Sequence, residues 1–549
     1  MRLLVLGIAA LSAVAPLTAQ VPAARIDSVF ARYNRTDAPG CALGVFRDGR
    51  IAYARGYGMA DLNQGIAIDP RTVFYIASTS KQFAAASLSL LAVQGKLSLS
   101  DPVKRYVPEL PAWADGITVA HLMGHQSGIR DYLGLWGMSG RLAGDEIPEE
   151  QALDLIARQR ATDFAPGTKW SYSNSGYFLI SLIVKRVSGQ SLREFAAANL
   201  FGPLGMRDTH FHDDRTMIVP HRAEGYEPDG KGGYHIYRTS FALVGDGGLL
   251  TTVEDLAKWD ENFFDNRLAG GGPAFIQRLT TRGVLANGDT TNYAAGLFID
   301  RYRGQPIVSH GGAFIGYRAE LLRFPALHTS IAILCNDYTA APEAMAKQVA
   351  DVVLGDKLSS AAAVAAGSGG TARVAPATLD RYAGRYELMP GLAATVARKD
   401  SGLVVSFAGM QLPFVPTSDS TFTNQQMAGT MTFRAMPGGK VGLTFPPVGL
   451  EAPTASLGPT PTLTPADRQA IVGRYACDEL ATTFTVREQG GALQVRAGYG
   501  DWRALMPFAP GVFSTGDSRI TVERDKAGKV TGLRLDAARM LGIKLLRAP

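Results

Sequence analysis

A serine and a lysine three residues apart open an apolar stretch that reads I-A-S-T-S-K-Q-F-A-A-A-S. Phe83, Leu88 and the alanines between them predict a buried helix that ends near Gly95 and places Ser78 at its N-terminus. Residues three apart share a helix face, so the Lys81 amine can reach the Ser78 hydroxyl. A buried lysine of lowered pKa can take the proton of a serine and make it nucleophilic. Alone, the pattern more often means a capping serine and a solvated lysine.

A second segment, P-G-T-K-W-S-Y-S-N-S-G-Y-F-L-I, places Tyr172 and Asn174 in a turn before an apolar helix. The phenol of a tyrosine can relay protons, and the amide of an asparagine can orient a lysine or hold a substrate carbonyl. Taken alone, the segment is explained better by an ordinary turn tyrosine.

A third segment, I-V-S-H-G-G-A-F-I-G-Y, contains His310, Gly311 and Gly312. Paired glycines allow a substrate to approach a strand closely, and the N–H group that follows them can donate to an oxyanion. A histidine tolerated in a fold for no catalytic reason is the alternative for this segment alone.

In this order, with roughly 90 and 140 residues between them, the three segments resemble the serine β-lactamase and penicillin-binding-protein superfamily. They are most similar to its branch of class C β-lactamases, DD-carboxypeptidases, esterases and D-aminopeptidases. Two further segments are similar to that branch, I-T-V-A-H-L-M-G-H-Q-S-G-I at 117–129 and G-G-L-L-T-T-V-E-D-L-A-K-W at 247–259.

The resemblance implies a role for each matching residue. Ser78 is expected to be the acylated nucleophile, Lys81 its base, and Tyr172 the group that assists proton transfer to the leaving group. Neither a metal nor another cofactor is implied. The remaining expected roles are substrate binding by Asn174, His310, Gly311 and Gly312, and an oxyanion hole made by the N–H groups of Ser78 and Ala313.

His310 stands where most β-lactamases have the lysine of a Lys-Thr-Gly motif. His-Gly-Gly is the pattern of peptidases and esterases in this branch, which favours them over an efficient β-lactamase. A histidine with an ordinary pKa near ~6.5 would attract a substrate carboxylate only at acidic pH. We therefore expect His310 to make the hydrolysis of anionic substrates pH-dependent.

The fold implied for residues 25–355 is of the α+β class, a β-lactamase-like fold. It has a five-stranded antiparallel sheet flanked by helices, beside a helical lobe. A small, polar segment at 356–376 predicts a flexible linker. Beyond it the chain alternates apolar and polar residues between turns, which is typical of short antiparallel strands.

The tail contains three echoes in one order, which indicate a repeat. Gly384-Arg385-Tyr386 recurs as Gly473-Arg474-Tyr475, Pro413-Phe414-Val415-Pro416 as Pro507-Phe508-Ala509-Pro510, and Gly439-Lys440-Val441 as Gly528-Lys529-Val530. We expect two small antiparallel β-barrels of lipocalin-like type at 377–450 and 466–549, joined by a linker at 451–465. A tail of this kind looks like that of D-aminopeptidases.

Residues 1–20 have the pattern of a secretory signal peptide. Arg2 precedes an apolar run that reaches Leu17, and Ala-Val-Ala at 13–15 or Ala19 supplies a cleavage site. The mature protein is expected to be secreted or periplasmic, with no integral membrane span. The net charge of +6 comes from scattered basic residues, which argues against a nucleic-acid partner.

Three cysteines and two histidine patterns have less specific interpretations. Cys41, Cys335 and Cys477 are odd in number and far apart, so we expect buried, inert thiols rather than a disulfide framework. The H-x-H-x-D pattern at 210–214 lacks a further metal-binding histidine, and His121 with His125 lacks the glutamate of a zinc protease. Thr252 with Asp255 predicts a capped helix start.

These observations predict an exported, metal-free serine hydrolase that forms an acyl-enzyme. The expected substrates are small amides, peptides or esters, with compounds that contain D-residues among the candidates. Two alternatives remain open: a class C-like β-lactamase, and a non-catalytic penicillin-binding or peptidoglycan-binding sensor. All the catalytic positions are filled, which favours an enzyme. The oligomeric state is left open.

Overall fold

A computed structural model of the protein describes residues 21–141, 145–359, 372–424, 429–445 and 450–548. The predicted signal peptide and residues 360–371 of the predicted linker lie outside these ranges. Within them, the helices are all too short or too polar to cross a membrane.

The first unit of the chain mixes strands and helices. Its strands are β1 (Cys41–Arg47), β2 (Arg50–Tyr57), β3 (Met59–Asp61), β4 (Ile66–Ala67), β5 (Phe74–Tyr75), β6 (His210–Phe211), β7 (Tyr226–Pro228), β8 (Tyr234–Ile236), β9 (Leu249–Thr251), β10 (Phe298–Tyr302), β11 (Gln305–Phe314), β12 (Tyr317–Phe324) and β13 (Thr329–Cys335). Its α-helices are α1 (Ala23–Val29), α2 (Lys81–Val93), α3 (Val119–Met123), α4 (Tyr132–Met138), α5 (Glu149–Ala157), α6 (Asn174–Ser188), α7 (Leu192–Ala196), α8 (Gly202–Leu204), α9 (Val253–Glu261), α10 (Pro273–Thr280) and α11 (Pro342–Leu354).

The central sheet of this unit has six strands in the order β10-β11-β12-β13-β1-β2, with every neighbouring pair antiparallel. The expected sheet had five strands, one fewer than the structure shows. Because successive side chains point to opposite faces of a sheet, β13 buries Ile331 and Ile333 against α1 and α11. Its intervening residues, Ala332 and Leu334, join the core of the helical lobe.

Cys41 and Cys335 form a disulfide, so the prediction of inert thiols is wrong for this pair. They stand directly opposite each other in the register of β1 and β13. Their separation of 294 positions in the sequence concealed the pairing, since neighbouring strands need not be close in sequence. Cys477 is a buried free thiol, as predicted.

The predicted helix start around Ser78 is confirmed. Residues Ala77–Ser80 form one 3-10 turn that leads directly into α2. The helix is buried from Lys81 to Leu91, and Gly95 follows it in the left-handed conformation with φ of +71°. The sequence therefore positions Ser78 partly exposed at the N-terminal end of a buried helix.

The tail consists of two antiparallel β-barrels, which confirms the predicted architecture. The first is closed and comprises β14 (Gly384–Met389), β15 (Leu392–Lys399), β16 (Gly402–Phe407), β17 (Met410–Pro416), β18 (Thr421–Asn424), β19 (Gly429–Ala435), β20 (Val441–Phe445) and β21 (Leu450–Leu457), after the helix α12 (Pro376–Tyr382). Strand β21 occupies part of the predicted linker at 451–465.

The second barrel is a nine-stranded sheet that is nearly closed. Its two edge strands, β25 and β26, follow each other directly in the chain, so the two edges of the sheet come close together. It comprises the helix α13 (Pro465–Ile471) and the strands β22 (Gly473–Cys477), β23 (Thr482–Gln489), β24 (Ala492–Ala497), β25 (Arg503–Ala504), β26 (Met506–Ala509), β27 (Val512–Ser514), β28 (Ser518–Arg524), β29 (Val530–Ala537) and β30 (Met540–Arg547).

The sequence echoes occupy equivalent places in the two barrels. Each Gly-Arg-Tyr begins a first strand, β14 or β22. Each tyrosine donates to a carbonyl of the preceding helix, Tyr386 to Tyr382 at 2.9 Å and Tyr475 to Ile471 at 2.7 Å. The repeat thus records one structural unit used twice.

The second barrel packs directly against the first unit. Arg130, 4% exposed, forms ion pairs with Glu479 of the barrel at 2.5 Å and with Asp163 at 3.3 Å. At Gly140 a Cβ atom would lie 2.2 Å from the Ala497 carbonyl oxygen, so glycine permits the contact. Because breaking a buried ion pair costs several kcal/mol, these contacts fix the barrel on the lobe that carries Ser78.

Candidate active site

Lys81 contacts three oxygen atoms at the start of α2. Its Nζ lies 3.1 Å from Ser78 Oγ and 2.9 Å from Asn174 Oδ1, and it also donates to the backbone carbonyl of Asp246. The lysine side chain is fully buried. The structure therefore brings Ser78 and Lys81 together with Asn174, which follows Lys81 by 93 positions in the chain.

Burial lowers the pKa of Lys81, and the positive charge of Arg539 lowers it further. The carboxylates of Asp246 and Asp131 act in the opposite direction. A lysine whose pKa approaches neutrality is present in part as the free amine, which is the form that can accept a proton from Ser78.

Asp131 fixes the orientation of Asn174. Its Oδ2 accepts from the backbone N–H of Asn174 at 2.8 Å and from the side-chain Nδ2 at 2.9 Å. The amide nitrogen is thereby held by the carboxylate, so the amide oxygen faces Lys81. Asp131 also caps α4 by accepting from the N–H of Gly134 at 3.0 Å.

Asp246 lies beneath Lys81 and is 5% exposed. The Tyr132 hydroxyl donates to its Oδ2 at 3.0 Å, while its Oδ1 is buried without a hydrogen-bond partner. Burial raises the pKa of Asp246 and the charge of Lys81 lowers it. The two groups consequently control each other's protonation.

Tyr172 stands beside the serine and the lysine. The centre of its ring is 4.9 Å from Lys81 Nζ and 4.2 Å from the ring centre of the buried His125. Burial raises the pKa of Tyr172, and a hydrogen bond with Ser78 lowers it. The phenol is therefore protonated at neutral pH and can pass a proton to a group bound at Ser78.

Arg539 reaches the same place from the turn between β29 and β30 of the second barrel. Its Nη1 lies 3.3 Å from Asp131 Oδ2 and 3.4 Å from the carbonyl oxygen of Tyr172. Its guanidinium carbon is 5.7 Å from the centre of the Tyr172 ring. The barrel thus contributes a cation to the surroundings of Lys81.

His310 is buried, 2% exposed, and the expectation of a charge that changes near pH 6.5 is wrong. Burial lowers the pKa of His310 to about 3, and Lys81 lowers it as well. Its Nδ1 lies 2.6 Å from the Gly311 carbonyl, which can only accept, so Nδ1 carries the proton. Nε2 then accepts from the Tyr293 hydroxyl at 3.0 Å.

The two glycines after His310 have different surroundings. At Gly312 a Cβ atom would lie 2.1 Å from the Ile76 carbonyl oxygen, so glycine lets β11 approach the turn that carries Ser78. The Thr79 hydroxyl ties this turn to the carbonyl of His310 at 3.1 Å. The space at Gly312 is therefore filled by protein, whereas we expected a substrate there.

The free edge of β11 faces Ser78. Strand β10 pairs with β11 from Gln305 to Ser309, and Ala313 lies exposed farther along. A cleft of about 960 Å³ runs past this edge and is lined by Ser78, Tyr172, His310, Gly311, Gly312 and Ala313, among others. A substrate carbonyl held here would meet the strand backbone next to the serine.

The histidines of the H-x-H-x-D pattern and the predicted helix cap at Thr252 lie outside this group of contacts. His210 and His212 lie edge to face with their ring centres 5.6 Å apart. Within the described ranges, His, Cys, Asp and Glu side chains form no cluster of three suited to a metal ion. Thr252 accepts from the N–H of Asp255 and caps α9, as predicted.

The model of the family described as Beta-lactamase matches residues 26–354, more than half of the chain. The chain belongs to the beta-lactamase family. A second model, described as a domain of unknown function (DUF3471), matches residues 371–449, the region of the first barrel. The resemblance inferred from the sequence motifs is thereby confirmed.

This beta-lactamase-family serine hydrolase is similar over nearly its whole length to proteins named D-aminopeptidase. One from Cereibacter sphaeroides is 28% identical over 519 residues, which cover 91% of this chain and 94% of the relative. One from Brucella ovis is 26% identical over 541 residues, covering 93% and 96%.

Solved structures share its fold. The octameric penicillin-binding protein homologue from Pyrococcus abyssi aligns with a TM-score of 0.56 and 23% identity, covering 79% of this chain and 99% of that one. The D-amino acid amidase from Ochrobactrum anthropi SV3 aligns with a TM-score of 0.53 and 21% identity, covering 61% and 99%.

Three residues of this beta-lactamase-family site were missed in the sequence. Asp131 follows the family-like segment 117–129, and Asp246 precedes the segment 247–259. Their positions next to these segments could have indicated that they belong to the site. Arg539 carried none, because nothing local to it distinguishes it from other surface arginines.

Proposed function

We propose that this hydrolase is an exported amidase or aminopeptidase that acts through an acyl-enzyme on small amides and peptides bearing a D-amino acid. The observation that supports it most directly is the contact of the buried Lys81 amine with Ser78 Oγ at 3.1 Å. The similarity to proteins named D-aminopeptidase, over 91% of the chain, supports the substrate class.

In the proposed acylation step, neutral Lys81 takes the proton of Ser78 while Oγ bonds to the substrate carbonyl carbon. The negative charge that develops on the carbonyl oxygen is stabilised by the N–H groups of Ser78 and Ala313. The bond to the leaving nitrogen then breaks, and Tyr172 supplies the proton that this nitrogen needs, replenished from Lys81. Water hydrolyses the ester and restores Ser78.

The surroundings of His310 favour substrates without a carboxylate at that position. The imidazole is neutral at physiological pH because its burial lowers its pKa to about 3. It therefore lacks the fixed positive charge with which a lysine would hold a carboxylate. This favours amides and aminopeptidase substrates over carboxypeptidase substrates and β-lactams.

Fluorophosphonate labelling followed by peptide mass mapping tests the nucleophile. We expect one adduct, on Ser78, and its loss in Ser78→Ala. Ser89→Ala is the matched control, because Ser89 lies on the same helix and its hydroxyl is buried without a partner. Lys81→Ala should lower kcat by roughly 10²- to 10⁴-fold, the usual contribution of a general base. An adduct elsewhere would exclude Ser78.

A substrate panel tests the rest of the proposal. It comprises D-alanine amide, L-alanine amide, D-alanyl-D-alanine peptides, nitrophenyl esters and nitrocefin. We expect the largest kcat/KM for the D-amide, and a preference for the L-amide or for nitrocefin would contradict the proposed substrate class. For export, the N-terminus of the mature protein should lie close to residue 20, and a retained leader would contradict secretion.

A further inference from the structure

The cleft that begins at Ser78 continues across β11 to the other face of the sheet. Tyr172 and His310 line it at the nucleophile, and Glu320 and Lys347 line it at the far end, beside the start of α11. Gly311 also lines the cleft, between the two ends. Because glycine has no side chain, the cleft can cross the strand at this residue.

Glu320 is a buried acid without a partner in this cleft. It is 3% exposed and forms neither a hydrogen bond nor an ion pair with another described residue. It stands opposite Gly311 in the register of β11 and β12. A Cβ atom at Gly311 would lie 2.9 Å from Glu320 Oε2, so the carboxyl group lies directly over the glycine backbone.

The basic side chains nearby are already engaged. Lys347 pairs with Glu343 at 2.6 Å, and Arg318 donates to the carbonyls of Ile315 and Tyr317 at 2.8 and 2.7 Å. Burial raises the pKa of Glu320 to about 8, Glu343 raises it as well, and Lys347 lowers it. An unpaired buried carboxyl group is costly, and a bound cation that donates hydrogen bonds would offset that cost most effectively.

We propose that Glu320 binds a primary ammonium group carried by the leaving-group part of the substrate, such as the side chain of a lysine residue. This rests on the proposed function, in which Tyr172 protonates the leaving nitrogen at the entrance of the same cleft. Ile307 and Leu322 also line the cleft, and their apolar surfaces suit the methylene stem of such a side chain.

The test compares D-alanyl-lysinamide with D-alanyl-norleucinamide, which lacks the ammonium group. The wild-type kcat/KM should favour the lysine compound about ten-fold or more, the size expected for one charged hydrogen bond. In Glu320→Gln and Glu320→Leu this preference should fall to near one, with norleucinamide hydrolysis retained. Asp300→Asn is the control, because Asp300 is another acid that lines the cleft, and it should keep the wild-type preference.

Three results would overturn the proposal: a wild-type preference near one, an unchanged preference in both Glu320 variants, or an equal loss in Asp300→Asn. A second measurement needs neither variants nor turnover. In the wild type, 5-aminopentanamide should slow fluorophosphonate labelling of Ser78 more than pentanamide does, and equal effects would refute the ammonium site. If this holds while no D-alanyl amide is hydrolysed, the substrate class fails and the ammonium site stands.

Discussion

Replacing Arg539 with methionine should shift the acidic limb of the pH–rate profile upward. Lys81 must be neutral to act as a base, and the positive charge of Arg539 lowers the pKa of Lys81. Without that charge the pKa of Lys81 rises, so a smaller fraction of the lysine is neutral at any pH below it. Of the other charged groups that face Lys81, Asp131 and Asp246 remain.

The size of the shift follows from the geometry. Lys81 Nζ and the guanidinium carbon of Arg539 lie 4.9 and 5.7 Å from the centre of the Tyr172 ring, so they are at most about 11 Å apart. At that distance two unit charges repel by about 0.4 kcal/mol in water and about 1.5 kcal/mol at an effective dielectric constant of ~20. Because the Arg539 side chain is 41% exposed, solvent screens it, and we expect a shift of about half a pKa unit.

The assay is kcat/KM for a neutral amide from roughly pH 5.5 to 10 at low ionic strength. Arg539→Met should lower kcat/KM about three-fold on the acidic limb, and the difference should shrink in ~0.5 M salt. Arg539→Lys should restore the profile. Arg534→Met is the control, since Arg534 lies on the same barrel with 43% exposure. An acidic limb that stays in place or moves to lower pH would refute the reasoning.

Three further predictions concern residues around the site and the sheet. Asp131→Ala releases both Asn174 hydrogen bonds and should lower kcat/KM by about ten- to a hundred-fold, and a change under two-fold would show that Asn174 holds its orientation unaided. Reduction of the Cys41–Cys335 disulfide should lower Tm by several degrees, from a loss of roughly 3 kcal/mol, with activity retained at ~25 °C; calorimetry showing equal Tm values would contradict this. For His310, the ratio of kcat/KM for a carboxylate substrate to that for its amide should stay constant between roughly pH 5.5 and 8, because the imidazole is neutral throughout; paired kinetics that show a falling ratio would demonstrate a charged histidine.

Features encoded by neighbouring residues could be predicted from the sequence. The spacing of Ser78 and Lys81, the helix end at Gly95 and the echoes of the two barrels are all local patterns. Local patterns express the helix and strand periods directly, and they predicted both the position of Ser78 at a helix start and the repeat. The fold was then assigned because three such patterns, in one order, resemble those of a known superfamily.

Features that depend on distant partners could not be predicted. The disulfide follows from the register of two strands whose cysteines are 294 residues apart. Arg539 reaches Tyr172 across 367 residues, and only the docked barrel brings them together. The charge of His310 depends on burial by residues from several elements, which residue type alone does not reveal.

The supply of Arg539 by the second barrel has a consequence for biosynthesis. A ribosome finishes the beta-lactamase-like region at about residue 354, and at ~5–20 residues per second it needs roughly 10 to 40 s more to reach Arg539. During that interval the nascent chain already holds Ser78, Lys81 and Tyr172, but Lys81 lacks the nearby cation that lowers its pKa. Full activity therefore arrives only when the last barrel has been translated and has docked, and until then acyl transfer below the pKa of Lys81 should be about three-fold slower.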